Sequence, residues 1–424
     1  MGPEMGVVSP SSPVYLGQFR IVRPRYETTQ QNGFDWLTRA HIQAAAQAAA
    51  QSAAQAPGQS ESQSAPSQAV FERSISVALR RFGCSDGQIA TRGHELVDFG
   101  LEHFDDMKVF RLHETPSGLS LSSRMEFYAE RCDEILGEIY PQTMSLESAP
   151  DLLIHVSCTG YVSPNPTQRL ISLRGWSHQT TSTQAYHMGC YAAVPAIRQA
   201  AAQIAAGLSK NTDVVHNEMC TLHFDPSRHE PEQLVVQSLF ADGHIAYRVN
   251  AQQGNFRILA LGEEIIPDSV NEMTWKLAPN AFQMTLGRAV PQLIANHVLN
   301  FVTRLYDSAG LSFEAERHRT QAALHPGGPR IIEALKDTLK LDESGVADSR
   351  AVLREMGNMS SATLPHILER IARNDAVPLG TPVLGLAFGP GLSMVGILAE
   401  KTAPEGMKPL AERVTDSSAR WSRC

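Results

Sequence analysis

The chain has 424 residues, 42% of them hydrophobic and 19% charged, long enough for two ordinary domains or one large fold of two halves. Lys plus Arg number 36 and Asp plus Glu 44, a net charge of −8, which argues against general nucleic-acid binding because phosphate neutralisation needs a basic surface. No stretch approaches the roughly 18 apolar residues that span a bilayer, and the start, MGPEMGVVSPSSPVYLG, lacks the basic-then-apolar order of a secretion signal.

In chain order, YLGQFRIV (15–22) reads as a first strand. QAAAQAAAQSAAQA (43–56) consists of helix formers with almost nothing large to bury, and PGQSESQSAPSQ (57–68) has linker composition. Residues 43–68 are therefore expected to be a low-complexity linker or surface excursion, or else a docking segment. SSRMEFYAERCDEILGEI (122–139) has the spacing of an amphipathic helix. DLLIHVS (151–157) and TDVVHNEM (212–219) read as buried strands. Between them, YAAVPAIRQAAAQIAAG (191–207) is a helix of very small side chains, suited to deep packing between sheets. Further helices are expected at 291–310, 328–341 and 360–373. Residues 382–401 form two apolar strands broken at Gly389-Pro390-Gly391, a hairpin by its turn residues. Strands alternating with helices imply a layered α/β fold.

Six cysteines, at 84, 132, 158, 190, 220 and 424, show no CxxC and no regular spacing. A reducing cytoplasm is expected, with no metal site and no disulfide framework. Cys190 follows a glycine at the junction of a loop and the Ala-rich helix. A thiol there feels the positive end of the helix dipole, which lowers its pKa and favours a nucleophilic thiolate; the bland reading is a small buried hydrophobe. His325 precedes Pro-Gly-Gly and a helix, and Asn358 precedes another helix start with Ser360 and Ser361 as caps. Read separately, these are a turn histidine and a helix cap. Read together with Cys190, they supply a thioester nucleophile and two N–H donors for an enolate, the needs of decarboxylative Claisen chemistry.

CTGYVSPNP (158–166), HMGCYAAVPAIR (187–198), VVHNEMCTLHF (214–224), SLFADG (238–243), LHPGGPRIIEAL (324–335), GNMSSAT (357–363) and FGPGL (388–392) occur in this order. In that set the chain resembles the type III polyketide synthases, relatives of chalcone synthase, well over roughly 150–400 and poorly before. The resemblance implies an α/β thiolase fold, two related halves stacked as five α-β-α-β-α layers, acting as a cytoplasmic homodimer without nucleic-acid or membrane partners. The implied divisions are 1–42, the 43–68 stretch, a nucleophile half at 69–250, and a His/Asn half at 251–424. The activity implied is extension of an acyl starter with malonyl units to a pyrone, resorcinol or related ring. A single-condensation β-ketoacyl synthase is the alternative. No cofactor is implied; the substrates would be malonyl-CoA and an acyl thioester of CoA or of an acyl carrier protein.

Residue by residue, the resemblance makes Cys190 the nucleophile, His325 the imidazole that keeps it ionised and holds the carbonyl, and Asn358 the oxyanion amide. Phe240 matches the gate phenylalanine, and a second gate aromatic falls at Phe282 or Met284. Thr159, Glu218, Cys220 and His223 match cavity-lining positions. Cys220 and His223 depart from the small or Thr side chains common there. Ser163 stands where plant relatives present a methionine to the partner's cavity. Where plant relatives hold coenzyme A phosphates with a basic cluster, this chain offers Lys108 and Arg111 beside Asp105 and Asp106.

Overall fold

A computed structural model of the chain describes residues 6–55 and 68–403. Its first half contributes strands β1 (Tyr15–Val22), β2 (Leu152–Ser157), β3 (Thr181–Tyr186), β4 (Asn211–Met219) and β5 (Asp242–Asn250). The second contributes β6 (Phe256–Ile265), β7 (Gln321–Leu324), β8 (Pro382–Gly389) and β9 (Ser393–Lys401). Helices that matter below are α1 (Gln30–Gln55), α2 (Leu121–Ile139), α3 (Ala193–Ala205) and α4 (Pro231–Leu239) in the first half. The second adds α5 (Val290–Ser308), α6 (Pro329–Leu339), α7 (Glu343–Met356) and α8 (Thr363–Arg373).

Strand order repeats. The first half runs β1-β5-β4-β2-β3 and the second β6-β9-β8-β7. In each, the last strand lies antiparallel to the first and to its other neighbour, which in turn is parallel to the next strand. That repeated wiring identifies two related halves. Tyr15 and Leu16 of β1 pair with Arg257 and Phe256 of β6 and stitch the two ladders together.

Period-2 alternation of the strands sends neighbouring residues into different cores. Val214, Ile245 and Ile397 face a central core with α3 and α8 between the sheets. Val215 and Ala246 face an outer core with α1 and α2. Leu398 and Leu384 face a third with α5, α6 and α7. The result is helix, sheet, helix, sheet, helix, the five layers expected. Ala193, Ala196 and Ala200 are fully buried, and their small size lets α3 fit between two sheets.

Residues 43–55 are not a linker. They continue α1, which is anchored upstream by buried Phe34, Trp36, Leu37 and Ala40. Ala44 is buried too, and the Gln47 and Gln51 amides donate to the Glu114 carbonyl at 3.0 and 3.2 Å. The rest of the 43–68 stretch, apart from Gln68 at the start of the next helix, lies outside the described residues. A hairpin of Met273–Leu277 with Phe282–Leu286 stands apart from the main sheet and walls the site.

Candidate active site

Three chain turns converge where β3 runs into α3. Gly189 has φ +92°, and a Cβ on it would meet Pro390 Cδ at 2.5 Å. Glycine is therefore required for the Gly389-Pro390-Gly391 turn to press against the segment holding Cys190. Cys190 lies three residues before α3, is 6% exposed, and lines a cavity. Its thiol donates to Ser360 Oγ at 3.8 Å. Burial pushes that thiol up to about 12, while the Ser360 hydroxyl and the Asn358 amide pull it down. The expected lowering by the helix dipole is thus overridden by desolvation.

Asn358 is set by backbone pairing. Its N–H donates to Leu239 O at 3.0 Å and its carbonyl accepts from Ala241 N at 2.8 Å. Its side-chain Oδ1 accepts from Ser360 N at 2.9 Å and from Thr363 Oγ1 at 3.4 Å. Nδ2 is buried with no oxygen or nitrogen acceptor and faces the Cys190 thiol, whose ionised form it favours. His325 follows β7 directly, and its backbone N–H donates to Leu386 O at 2.8 Å. It is 1% exposed, and neither ring nitrogen has a hydrogen-bond partner. Burial holds the imidazole down at about 3, hence neutral. Cys190, Ser360 and Asn358 are brought together; no hydrogen bond joins His325 to them.

Phe240, Thr159, Cys220, His223, Phe282 and Met284 all line the cavity with Cys190. Phe282 and Met284 alternate on one strand, so both face the same side, and both remain gate candidates. Glu218 sits behind the wall. Its carboxyl accepts from Cys158 N at 3.2 and 3.0 Å, from Thr159 Oγ1 at 2.8 Å, and from Ser361 Oγ. Burial raises its pKa despite those donors. His223 is a sealed wall residue: Nε2 meets Thr159 O at 2.7 Å and Nδ1 accepts from Phe282 N at 3.0 Å. Its ring stacks on Phe282 at 4.2 Å, and burial holds it neutral, down at about 3. Lys108, Arg111 and Ser163 are exposed and do not line the cavity.

Two wall residues escape sequence reasoning. Trp275 pairs with Met284 across the hairpin, donates its indole N–H to Cys158 O at 2.6 Å, and meets Phe282 and His223 edge-on. The alternation of MTWKL and FQMTL is its only signal. Arg92 also lines the cavity and leaves no motif. Among the described residues no group of three or more His, Cys, Asp or Glu could hold a metal ion, and no helix is long and apolar enough to cross a membrane.

Residues 258–402 match the family model of chalcone and stilbene synthases, C-terminal domain. A probable polyketide synthase 1 of Dictyostelium discoideum is 28% identical over 251 residues, 58% of this chain but 8% of that protein. Type III polyketide synthase C of Arabidopsis thaliana is 30% identical over 261 residues, 58% of this chain and 66% of that one. The chain therefore aligns with less than two thirds of the length of either relative. PKS-I from the brown alga Ectocarpus siliculosus superposes with a TM-score of 0.72 at 22% identity, over 94% of this chain and 98% of that one, a likeness of fold. With the paired halves, the Gly-Cys turn and the GNMSSAT segment, these matches give residues 258–402 the chalcone and stilbene synthase C-terminal domain and make the chain similar to the type III polyketide synthases.

Proposed function

We propose that the chain extends an acyl starter with malonyl units by decarboxylative Claisen condensation on Cys190, giving a pyrone, resorcinol or related polyketide. The Cys190 sulfur attacks the starter thioester, forms an S-acyl bond and releases the carrier thiol. A malonyl thioester then binds with its carbonyl oxygen against the Asn358 amide and the His325 ring N–H. Its C–C bond to the carboxylate breaks, CO₂ leaves, and the electron pair becomes an enolate held by those donors. The enolate carbon attacks the acyl carbon, and the cysteine sulfur departs and regains a proton. Donors that are buried and already unpaired need no reorganisation when that charge develops.

One observation carries this reading. The Asn358 amide has its oxygen engaged by Ser360 N and its Nδ2 buried with only the Cys190 thiol before it, a donor left free for an oxygen of the ligand. Homodimer assembly is part of the same proposal. Its support is β3, which pairs with β2 and has no strand on its other side among the described residues. Delivery by coenzyme A or by an acyl carrier protein is decided by the same experiment. Purified enzyme is offered malonyl-CoA with a ladder of acyl-CoA starters and, in parallel, the same acyl groups on an acyl carrier protein, and products are weighed by mass spectrometry. Multiply extended, cyclised products are expected. A product carrying a single two-carbon addition would instead identify a β-ketoacyl synthase, and turnover only with carrier-protein thioesters would assign the delivery.

A further inference from the structure

Helix α4 ends at the gate residue, and the last carbonyls of a helix have no partners within it. Here all are taken. Val236 O accepts from Phe240 N at 3.2 Å. Arg92 Nη1 donates to Gln237 O and to Phe240 O, each at 2.9 Å. Gln30 Nε2 donates to Ser238 O at 2.8 Å, and Leu239 O accepts from Asn358 N at 3.0 Å. Arg92 Nε also donates to Gln30 Oε1 at 2.9 Å, so the two side chains brace each other.

Arg92 is 7% exposed and makes no ion pair among the described residues. A buried cation without a contacting carboxylate is expensive. The negative end of the α4 dipole and three acceptor oxygens compensate it. Burial lowers this guanidinium to about 10, still protonated at neutral pH. Its stem has a second contact: a Cβ on Gly357 would sit 3.0 Å from Arg92 Cγ. Gly357 is the residue before Asn358. One side chain therefore touches both strands of the short backbone pairing that sets Phe240 beside Asn358.

We propose that Arg92 is the positioning residue of the condensing site: by holding the Phe240 carbonyl and packing on Gly357, it fixes the gate ring and the Asn358 amide in one register. The proposal rests on the reading of Asn358 as an enolate donor. A purely structural Arg92 would change the fraction of folded enzyme and leave each surviving site unchanged. A positioning Arg92 changes the rate at every surviving site.

The test uses Arg92→Met and Arg92→Lys in the full chain. Intact mass after starter loading counts functional Cys190 sites, and CO₂ release from malonyl-CoA is divided by that count. A misplacement on the order of 1 Å can cost roughly 10²-fold in rate, so Arg92→Met should lose about that factor per loaded site. Lys keeps the charge at the helix end and can reach one carbonyl rather than two, and should recover about tenfold of the loss. The pantetheine-side KM for malonyl-CoA should stay within about twofold, since the donors rather than the tunnel are displaced. Either variant decarboxylating within twofold of wild type per loaded site overturns the proposal. If Arg92→Met does not fold, Arg92→Lys decides it alone. If the wild-type enzyme itself releases no CO₂ from malonyl-CoA, the functional reading has failed, and the positioning role fails with it.

Discussion

Replacing Asn358 by Ala should separate catalysis from stability almost completely, and the structure says why. The amide oxygen accepts from buried Ser360 N and from Thr363 Oγ1, so its loss strands at least one buried donor at about 1–3 kcal/mol. The same substitution deletes Nδ2, itself a buried donor with no oxygen or nitrogen acceptor, which returns part of that amount. The two terms oppose, and the net change in stability should lie within about 2 kcal/mol. Catalysis has no such compensation. One lost oxyanion donor is worth about 10²–10³ in rate, or roughly 3–4 kcal/mol. Starter loading needs the thiol rather than the amide and should persist. Three measurements suffice: the melting curve, intact mass after incubation with starter, and CO₂ release from malonyl-CoA. Decarboxylation at the wild-type rate would refute the donor role and leave Asn358 as a backbone anchor for Phe240.

Cys190→Ala should abolish acyl-enzyme on intact mass analysis although Cys158 and Cys220 line the same cavity; acylation surviving in the variant sinks the assignment. Trp275→Ala removes an aromatic wall and its bond to Cys158 O, and should shift products upward by at least one two-carbon unit; an unchanged product spectrum shows the wall does not limit growth. Seven buried histidines (41, 94, 155, 216, 223, 325 and 366) are held below their ordinary value by burial. Below about pH 6.5 the unfolded chain binds protons that the folded one refuses, so stability should fall as pH drops from about 6.5 toward 4. Asp242, raised by burial to about 7, and Glu218 oppose this but are outnumbered; a melting temperature flat over that range would contradict the neutral, buried state of these rings.

The strands and the deep helix were legible because burial writes itself into composition. The Ala-rich run at 191–207 predicts a helix squeezed between layers, and α3 is that helix. The 382–401 hairpin was marked by its Gly-Pro-Gly break, and β8 and β9 turn there. The length of α1 was not legible, since residues 43–55 carry little to bury. Its anchor lies upstream, at Phe34 to Ala40, and once nucleated there, good helix formers propagate with little further cost. Arg92 was invisible for another reason. Its partners are main-chain carbonyls, and a carbonyl has the same chemistry whatever side chain it carries. The tautomer of His223 is likewise set by Phe282 N and Thr159 O, which no spacing rule encodes.

The ionisation of Cys190 sets two forces against each other, and magnitudes decide between them. A helix dipole contributes typically about 0.3–1 kcal/mol and at best about 2. Burial moves this thiol from 9.0 to about 12, and three units correspond to about 4 kcal/mol. The dipole therefore loses, and a thiolate at neutral pH requires a cation in contact. A unit charge 4 Å away at an effective dielectric near 20 supplies about 4 kcal/mol, enough to cancel the burial. The free His325 ring is neutral, so it supplies that charge only by taking the thiol's own proton to form a thiolate–imidazolium pair, and both its ring nitrogens are unpaired. Iodoacetamide should then alkylate Cys190 at pH 7 in the wild type, and His325→Ala should slow that reaction by roughly 10²-fold or more. The rate in the variant should recover only as pH rises well above 9. If His325→Ala is alkylated at the wild-type rate at pH 7, the helix terminus alone ionises the thiol, and the imidazole acts solely on the malonyl carbonyl.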